Sequence, residues 1–127
     1  MSFSFDPKHN LIIARTEVEG PSGTAVLRLA LDTGATGTLI NAGMLVSIGY
    51  DPALAANRVQ ITTGSGVEFV PHVAVSRIRA FGQERNAFPV LCHTLPQSAG
   101  VDGLLGLDFF RGLALTVDFR KGIVELS

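Results

Sequence analysis

Leu29-Ala30-Leu31-Asp32-Thr33-Gly34-Ala35-Thr36-Gly37-Thr38-Leu39-Ile40-Asn41 sets an ionisable side chain between two apolar, strand-like runs, and its reading decides the fold. A carboxylate flanked in this way is expensive to bury unless something pairs with it or uses it. One reading is a simple turn, because Asp and Gly are the commonest turn residues and Asp32-Thr33-Gly34 would close a hairpin. The tripeptide alone favours that reading.

The other reading is chemical. Two aspartates that share one proton can hold a water between them. The ionised one takes a proton from the water as it attacks a peptide carbonyl, and the protonated one polarises that carbonyl. Such a pair needs two loops at hydrogen-bonding distance. Gly34 allows close backbone approach, and Thr33 offers a short hydroxyl that can bond the facing backbone.

A second signature shifts the balance: Val101-Asp102-Gly103-Leu104-Leu105-Gly106-Leu107-Asp108-Phe109-Phe110. With these two segments in this order, the chain resembles the retropepsin-type single-domain aspartic proteases, especially their small bacterial members. The resemblance covers nearly the whole chain. It implies an all-β, closed β-barrel with a flap hairpin and one or two short helices, occupying residues 1–127 as a single domain. It also implies that Leu104-Leu105-Gly106 threads beside the active loop. Asp32, Thr33 and Gly34 would be the catalytic triplet; Ala35 and Leu104, Leu105 and Gly106 would touch substrate.

Composition narrows the alternatives. Of 127 residues, 46% are hydrophobic and 17% charged, values of a globular chain able to bury a core. Lys+Arg 10 against Asp+Glu 11 gives a net charge of −1 with no basic run, which disfavours nucleic acid as a partner. Cys92 is the single cysteine, excluding an internal disulfide and a cysteine-based zinc site. No apolar run approaches the roughly 20 residues that span a bilayer, and Met1 to Asn10 lacks the features of a secretory signal. The expected location is cytoplasmic, although a domain cut from a longer anchored protein would read the same.

Taken in order, Leu11 to Glu19 and Thr24 to Leu31 read as strands around the turn Gly20-Pro21-Ser22-Gly23. Thr38 to Ile40 is a short strand, and Asn41 can cap a helix from Ala42 to Ile48 that Gly49 stops. Met44 and Leu45 on it are expected in the core. Arg58 to Val70 reads as a hairpin with Thr63-Gly64-Ser65-Gly66 at its tip. The resemblance makes this the flap that folds over bound peptide, with those four tip residues against the substrate backbone. A further hairpin is expected from His72 to Leu95 around Gly82-Gln83-Glu84-Arg85, with Pro89 marking an edge or bulge. Cys92 and His93 should point to opposite faces, Cys92 into the core. Asp108 is expected to cap a short helix to Gly112, and Ala114 to Phe119 and Gly122 to Leu126 to form a closing hairpin. In the family, terminal strands like these contribute to a dimer sheet.

Carboxylate counting decides the expected assembly. The chain holds one Asp-Thr-Gly, so a two-fold homodimer bringing Asp32 from each chain together is the economical solution. Viral relatives place an acidic residue at the position of Thr36 and an arginine at that of Leu107; their ion pair is missing here. Ala35 lacks the hydroxyl that serine-bearing relatives use to favour a charged carboxylate, so an optimum at mildly acidic pH is expected.

The expected activity is aspartic endopeptidase, on peptide or protein substrate, with no metal or organic cofactor because the carboxylates activate water themselves. Val67, Phe69, Leu104 and Leu107 are expected to wall pockets for apolar side chains. Two other readings stay open: a catalytically silent relative used for dimerisation or peptide binding, and an unrelated small barrel with a chance Asp-Thr-Gly.

Overall fold

Alternation along Thr24 to Leu31 produces the first hairpin. Strand β2 (Ile13–Gly20) and strand β3 (Gly23–Leu31) pair antiparallel from Ile13↔Ala30 to Gly20↔Gly23, joined by the tight turn expected at Pro21-Ser22. Leu27 and Leu29 enter the core, while Val26 and Arg28 stay on the outer face. This computed structural model describes residues 1–55 and 57–127, and of Thr63 the backbone only.

The remaining strands are β1 (Ser2–Ser4), β4 (Leu39–Asn41), β5 (Asn57–Thr63), β6 (Gly66–Ala80), β7 (Gln83–His93), β8 (Gly103–Leu105), β9 (Leu115–Asp118) and β10 (Ile123–Leu126). β2, β3, β8, β4, β7 and β6 follow one another in a sheet that closes where β2 meets β6 at Glu17↔Arg79, Val18↔Ile78 and Glu19↔Arg77. The result is a closed six-stranded β-barrel, from which β5 projects as the outer arm of the 57–72 hairpin. Val18, Leu27, Leu29, Ile40, Val75, Ile78, Val90, Leu105 and Phe109 fill its interior. Phe109 is wholly buried and meets Phe88 and Phe110 edge-on at 6.1 and 5.4 Å. Its replacement by alanine would remove about 3–5 kcal/mol of stability.

Helix α1 (Ala42–Ser47) forms as expected: the Asn41 side chain accepts the Gly43 N–H at 3.2 Å, and Gly49 leaves it with φ 103. Leu45 is buried and Met44 packs against the core, so the helix closes one end of the barrel beside β4.

Several elements differ from expectation. β6 runs unbroken for 15 residues, so the inner arm of the 57–72 hairpin and the next hairpin share one strand. The turn after it is Phe81-Gly82 rather than 82–85, with φ 51 and 72. A phenylalanine with positive φ is uncommon, but the Phe81 ring packs on Phe3 at 5.4 Å and Phe110 at 6.3 Å, and that packing holds it there. Pro89 lies where β7 pairs only with β6, since β4 reaches no further than Leu91 to His93. It therefore costs no ladder bond. Cys92 is buried and His93 lies on the opposite face.

Asp108 is not a helix cap. The segment Leu107–Phe110 is a 3₁₀ turn preceded by Gly106 without any side-chain cap, and the Asp108 carboxylate is used elsewhere. The closing β9–β10 hairpin is present, with Asp118 accepting the N–H groups of Arg120 and Lys121 at 2.9 Å. β10 lies between β9 and β1, so both of its edges are paired within the chain.

Candidate active site

β8 sits between the two strands that flank the Asp32 loop. It runs parallel to β3, with Leu31 opposite Leu105, and antiparallel to β4, with Leu39 opposite Leu104. The Asp32 N–H donates to the Leu105 carbonyl at 3.0 Å, and the Leu107 N–H donates to the Ala35 carbonyl at 2.9 Å. Gly106 lies so close that a Cβ there would stand 2.7 Å from the Gly37 carbonyl and 2.9 Å from that of Ala35. Only glycine fits, because backbone atoms on the other side cannot yield cheaply.

A polar bolt that sequence reading missed secures this junction. Thr38, 0% exposed, donates its hydroxyl to Asp108 Oδ1 at 2.7 Å and accepts the Gly106 N–H at 3.1 Å. The Thr38 N–H also donates to both Asp108 oxygens, at 3.0 and 3.1 Å. A carboxylate accepting from one hydroxyl and one backbone N–H makes charge-assisted bonds, the stronger class. Thus the loop is tied to the Leu-Leu-Gly segment through Asp108, whereas Thr36 and Leu107 form no ion pair. Its signal in the sequence is a short polar residue on each side, Thr38 before Leu39-Ile40 and Asp108 before Phe109-Phe110.

Held in this way, Asp32 points one oxygen at its own loop: Oδ1 accepts the Gly34 N–H at 2.9 Å. Asp32 is half-buried, while Thr33 and Gly34 are exposed. No second carboxylate is bonded to Asp32 among the described residues, and Asp108 is committed to Thr38. Two cavities, of about 390 and 290 Å³, are lined by other parts of the chain. Asp32, Thr33 and Gly34 therefore lie together on accessible surface above a rigid, doubly anchored loop.

The residues expected to touch substrate divide. Leu104 is partly exposed, but Leu105 is wholly buried, so its side chain belongs to the core and only its carbonyl serves the loop. Gly106 is likewise buried and acts through its backbone. Ala35 is half-buried at the loop's end. Gly64 and Ser65 form the two-residue tip of the hairpin, closed by the Thr63↔Gly66 pair; the Thr63 side chain lies outside the described residues.

Strand register also sorts the apolar residues of the hairpin by face. Ile61 faces Glu68 and Val59 faces Val70 on one side of the hairpin; Thr62 faces Val67 and Gln60 faces Phe69 on the other. An even-numbered tip pairs odd positions with even ones, so the two apolar alternations fall on opposite faces. The first face continues along β6 to His72, opposite Leu91, whose side chain would lie 3.5 Å from a Cβ on Gly37 of the active loop. Val67 and Phe69, 55% and 65% exposed, are on the other face, away from that loop. At the foot of the hairpin His93 Nε2 lies 3.8 Å from Glu68 Oε2 on the loop-facing side.

Among the described residues no cluster of His, Cys, Asp or Glu is arranged to hold a metal ion, and no helix is long and apolar enough to cross a membrane. Comparison with curated proteins finds no match. Among solved structures the chain is similar in fold to a retropepsin-like aspartic protease from Rickettsia conorii, with a TM-score of 0.74 at 13% identity, covering 99% of this chain and 88% of that one. A family profile described as aspartyl protease matches residues 14–109, from the first barrel strand to the Phe109 that closes the core. The Asp-Thr-Gly loop, the Leu-Leu-Gly strand beside it and this match agree: the chain belongs to the aspartyl protease family and has the retropepsin-like fold.

Proposed function

We propose that the protein is an aspartic endopeptidase working as a two-fold homodimer, with Asp32 from each chain forming one carboxylate pair. The observation that carries this reading is the exposure of Thr33 and Gly34 beside a rigidly anchored Asp32 that has no carboxylate partner among the described residues of its own chain. A loop held this firmly, yet open at its catalytic edge, is half of a site.

In the assembled pair, one Asp32 is ionised and the other carries the shared proton. The ionised carboxylate takes a proton from the water held between them as the water oxygen bonds to the substrate carbonyl carbon. The protonated carboxyl gives its proton to the carbonyl oxygen. As the diol collapses, the carboxyl that took the water proton gives it to the amide nitrogen, one diol hydroxyl gives its proton to the now ionised carboxylate, and the C–N bond breaks to leave a carboxylic acid and an amine. The Gly34 N–H on Asp32 Oδ1 fixes the carboxyl plane throughout. The hairpin 57–72 acts as the flap, closing its Val59, Ile61 and Val70 face over an extended peptide and excluding water.

The test is cleavage of a mixed peptide pool by wild type and by Asp32→Asn, from acid to neutral pH, over a dilution series. The reading expects cleavage that needs Asp32 and a specific activity that falls on dilution. No cleavage by wild type at any pH or concentration would favour a silent, peptide-binding relative.

A further inference from the structure

Gly34 and Gly37 lie in the Asp32 loop and Gly106 beside it, and their surroundings differ. A Cβ on Gly34 would meet Asp32 Oδ1 at 3.2 Å, and one on Gly106 would strike main-chain atoms at 2.7 Å, so packing accounts for both. A Cβ on Gly37 would meet only side-chain atoms of Leu91 among the described residues, at 3.5 and 3.9 Å, which is ordinary van der Waals contact. The φ of Gly37 is not positive either. Neither crowding nor backbone conformation calls for glycine here, and where neither does, glycine costs stability through the freedom of the unfolded chain. What the missing side chain leaves is space, at a half-buried position of the loop.

Strand register identifies what surrounds that space. Residues directly opposite one another in a sheet share a face. Leu39 lies opposite Leu91 on β7 and Leu104 on β8, so these three side chains stand in a row on the face away from the buried Ile40, Cys92 and Leu105. The contact with Leu91 puts Gly37 on the same side. The Leu91 N–H donates to the Thr38 carbonyl at 2.8 Å, which holds Leu91 against the end of the loop. Leu39 is buried, whereas Leu91 and Leu104 are half-buried and offer part of their surface to this side. His72, opposite Leu91, leads to the Val59, Ile61 and Val70 face of the hairpin. Glu68 stands farther along β6 and is drawn to His93 at 3.8 Å. An apolar recess with leucine walls therefore lies between the Asp32 loop and the hairpin.

We infer that Gly37 and Leu91 set substrate preference: the space over Leu91 receives one large apolar side chain, of leucine or phenylalanine size, beside the scissile bond of an extended peptide. The bare Gly37 fixes how large that side chain can be. The inference deepens the peptidase reading and rests on it for the identity of the occupant. Burial against leucine favours an apolar side chain, and those walls offer no partner to a charged one.

Labelled peptides of about eight residues, alike except for a central Ala-Ala, Leu-Leu, Phe-Phe or Lys-Lys pair, read the recess by fluorescence anisotropy on Asp32→Asn protein. The same peptides read cleavage on protein that keeps Asp32. Leu-Leu and Phe-Phe should bind about tenfold or more tighter than Ala-Ala, and Lys-Lys no tighter than Ala-Ala. Gly37→Val, made in the Asp32→Asn protein, fills the space and should remove that advantage while leaving Ala-Ala within about twofold. Leu91→Val deepens the recess and should raise the preference for Phe-Phe over Leu-Leu about threefold. Gly37→Ala adds one methyl at contact distance; it should melt no lower than wild type and should weaken Phe-Phe more than Ala-Ala, which separates filling from misfolding. Equal weakening of all four peptides by Gly37→Ala, no effect of Gly37→Val, or no advantage of Leu-Leu and Phe-Phe would each overturn the inference. Size selection that responds to Gly37, without cleavage by the protein that keeps Asp32, would overturn the peptidase reading and keep the recess. Cleavage indifferent to Gly37→Val would do the reverse.

Discussion

Thr38→Val is the most informative single change in the loop anchor. It keeps the shape of a side chain that is 0% exposed but deletes the hydroxyl between Asp108 and Gly106. Losing the 2.7 Å bond to the Asp108 carboxylate costs about 1.5–3 kcal/mol as a charged hydrogen bond. The Gly106 N–H, left buried without its acceptor, adds about 1–3 kcal/mol. The two terms share one atom and do not add fully, so a total of about 3–4 kcal/mol is expected. For a chain of 127 residues this corresponds to a fall in Tm of roughly 10–15 °C. Thermal and urea melts at fixed protein concentration read it directly. Thr38→Ser, which keeps the hydroxyl, should lose much less. Thr38→Val within about 1 kcal/mol of wild type would refute the claim that this contact holds the loop.

Other expectations follow from the same geometry. Gly106→Ala puts a methyl 2.7 Å from the Gly37 carbonyl, so stability falls by about 2–3 kcal/mol and cleavage is lost as the loop shifts; an active, stable variant would contradict the packing. Ile61→Ala, on the loop-facing side of the flap, lowers kcat/KM about tenfold, whereas Phe69→Ser on the other face changes it by less than about twofold; the reverse pattern would invert the flap assignment. Burial pushes the Cys92 thiol above its ordinary 9.0, so its contribution to stability is full below pH 9.0 and is lost as pH rises through the folded value. Wild type should therefore lose more stability between pH 8 and pH 10 than Cys92→Val, a difference visible in paired urea melts, and equal losses would argue against that burial effect.

Features written locally were legible in the sequence. The Asn41-capped helix rests on residues adjacent in the chain, so capping chemistry exposes it, while the Asp32 triplet and the Leu104-Leu105-Gly106 strand were legible through their resemblance to aspartic protease motifs. What was not legible depends on partners far apart. Thr38 and Asp108 are 70 positions apart, and each alone looks like an ordinary loop or cap residue. β1 pairs with β10 across nearly the whole chain, and three residues of weak pattern could not announce it. The Phe81 turn breaks local preference because tertiary ring contacts override it. The faces of the 57–72 hairpin were not legible for a different reason: alternation on each arm was visible, but the parity set by the tip decides which arms' residues share a side.

The central claim is that two copies of Asp32 build one site, and a mixing titration tests it most directly. Wild type and Asp32→Asn are combined at constant total concentration, allowed to exchange subunits, and assayed for peptide cleavage. If each active unit needs Asp32 from both chains, activity falls with the square of the wild-type fraction, to about a quarter at equal amounts. A linear fall, to about a half, would mean that each chain works alone and would contradict the account.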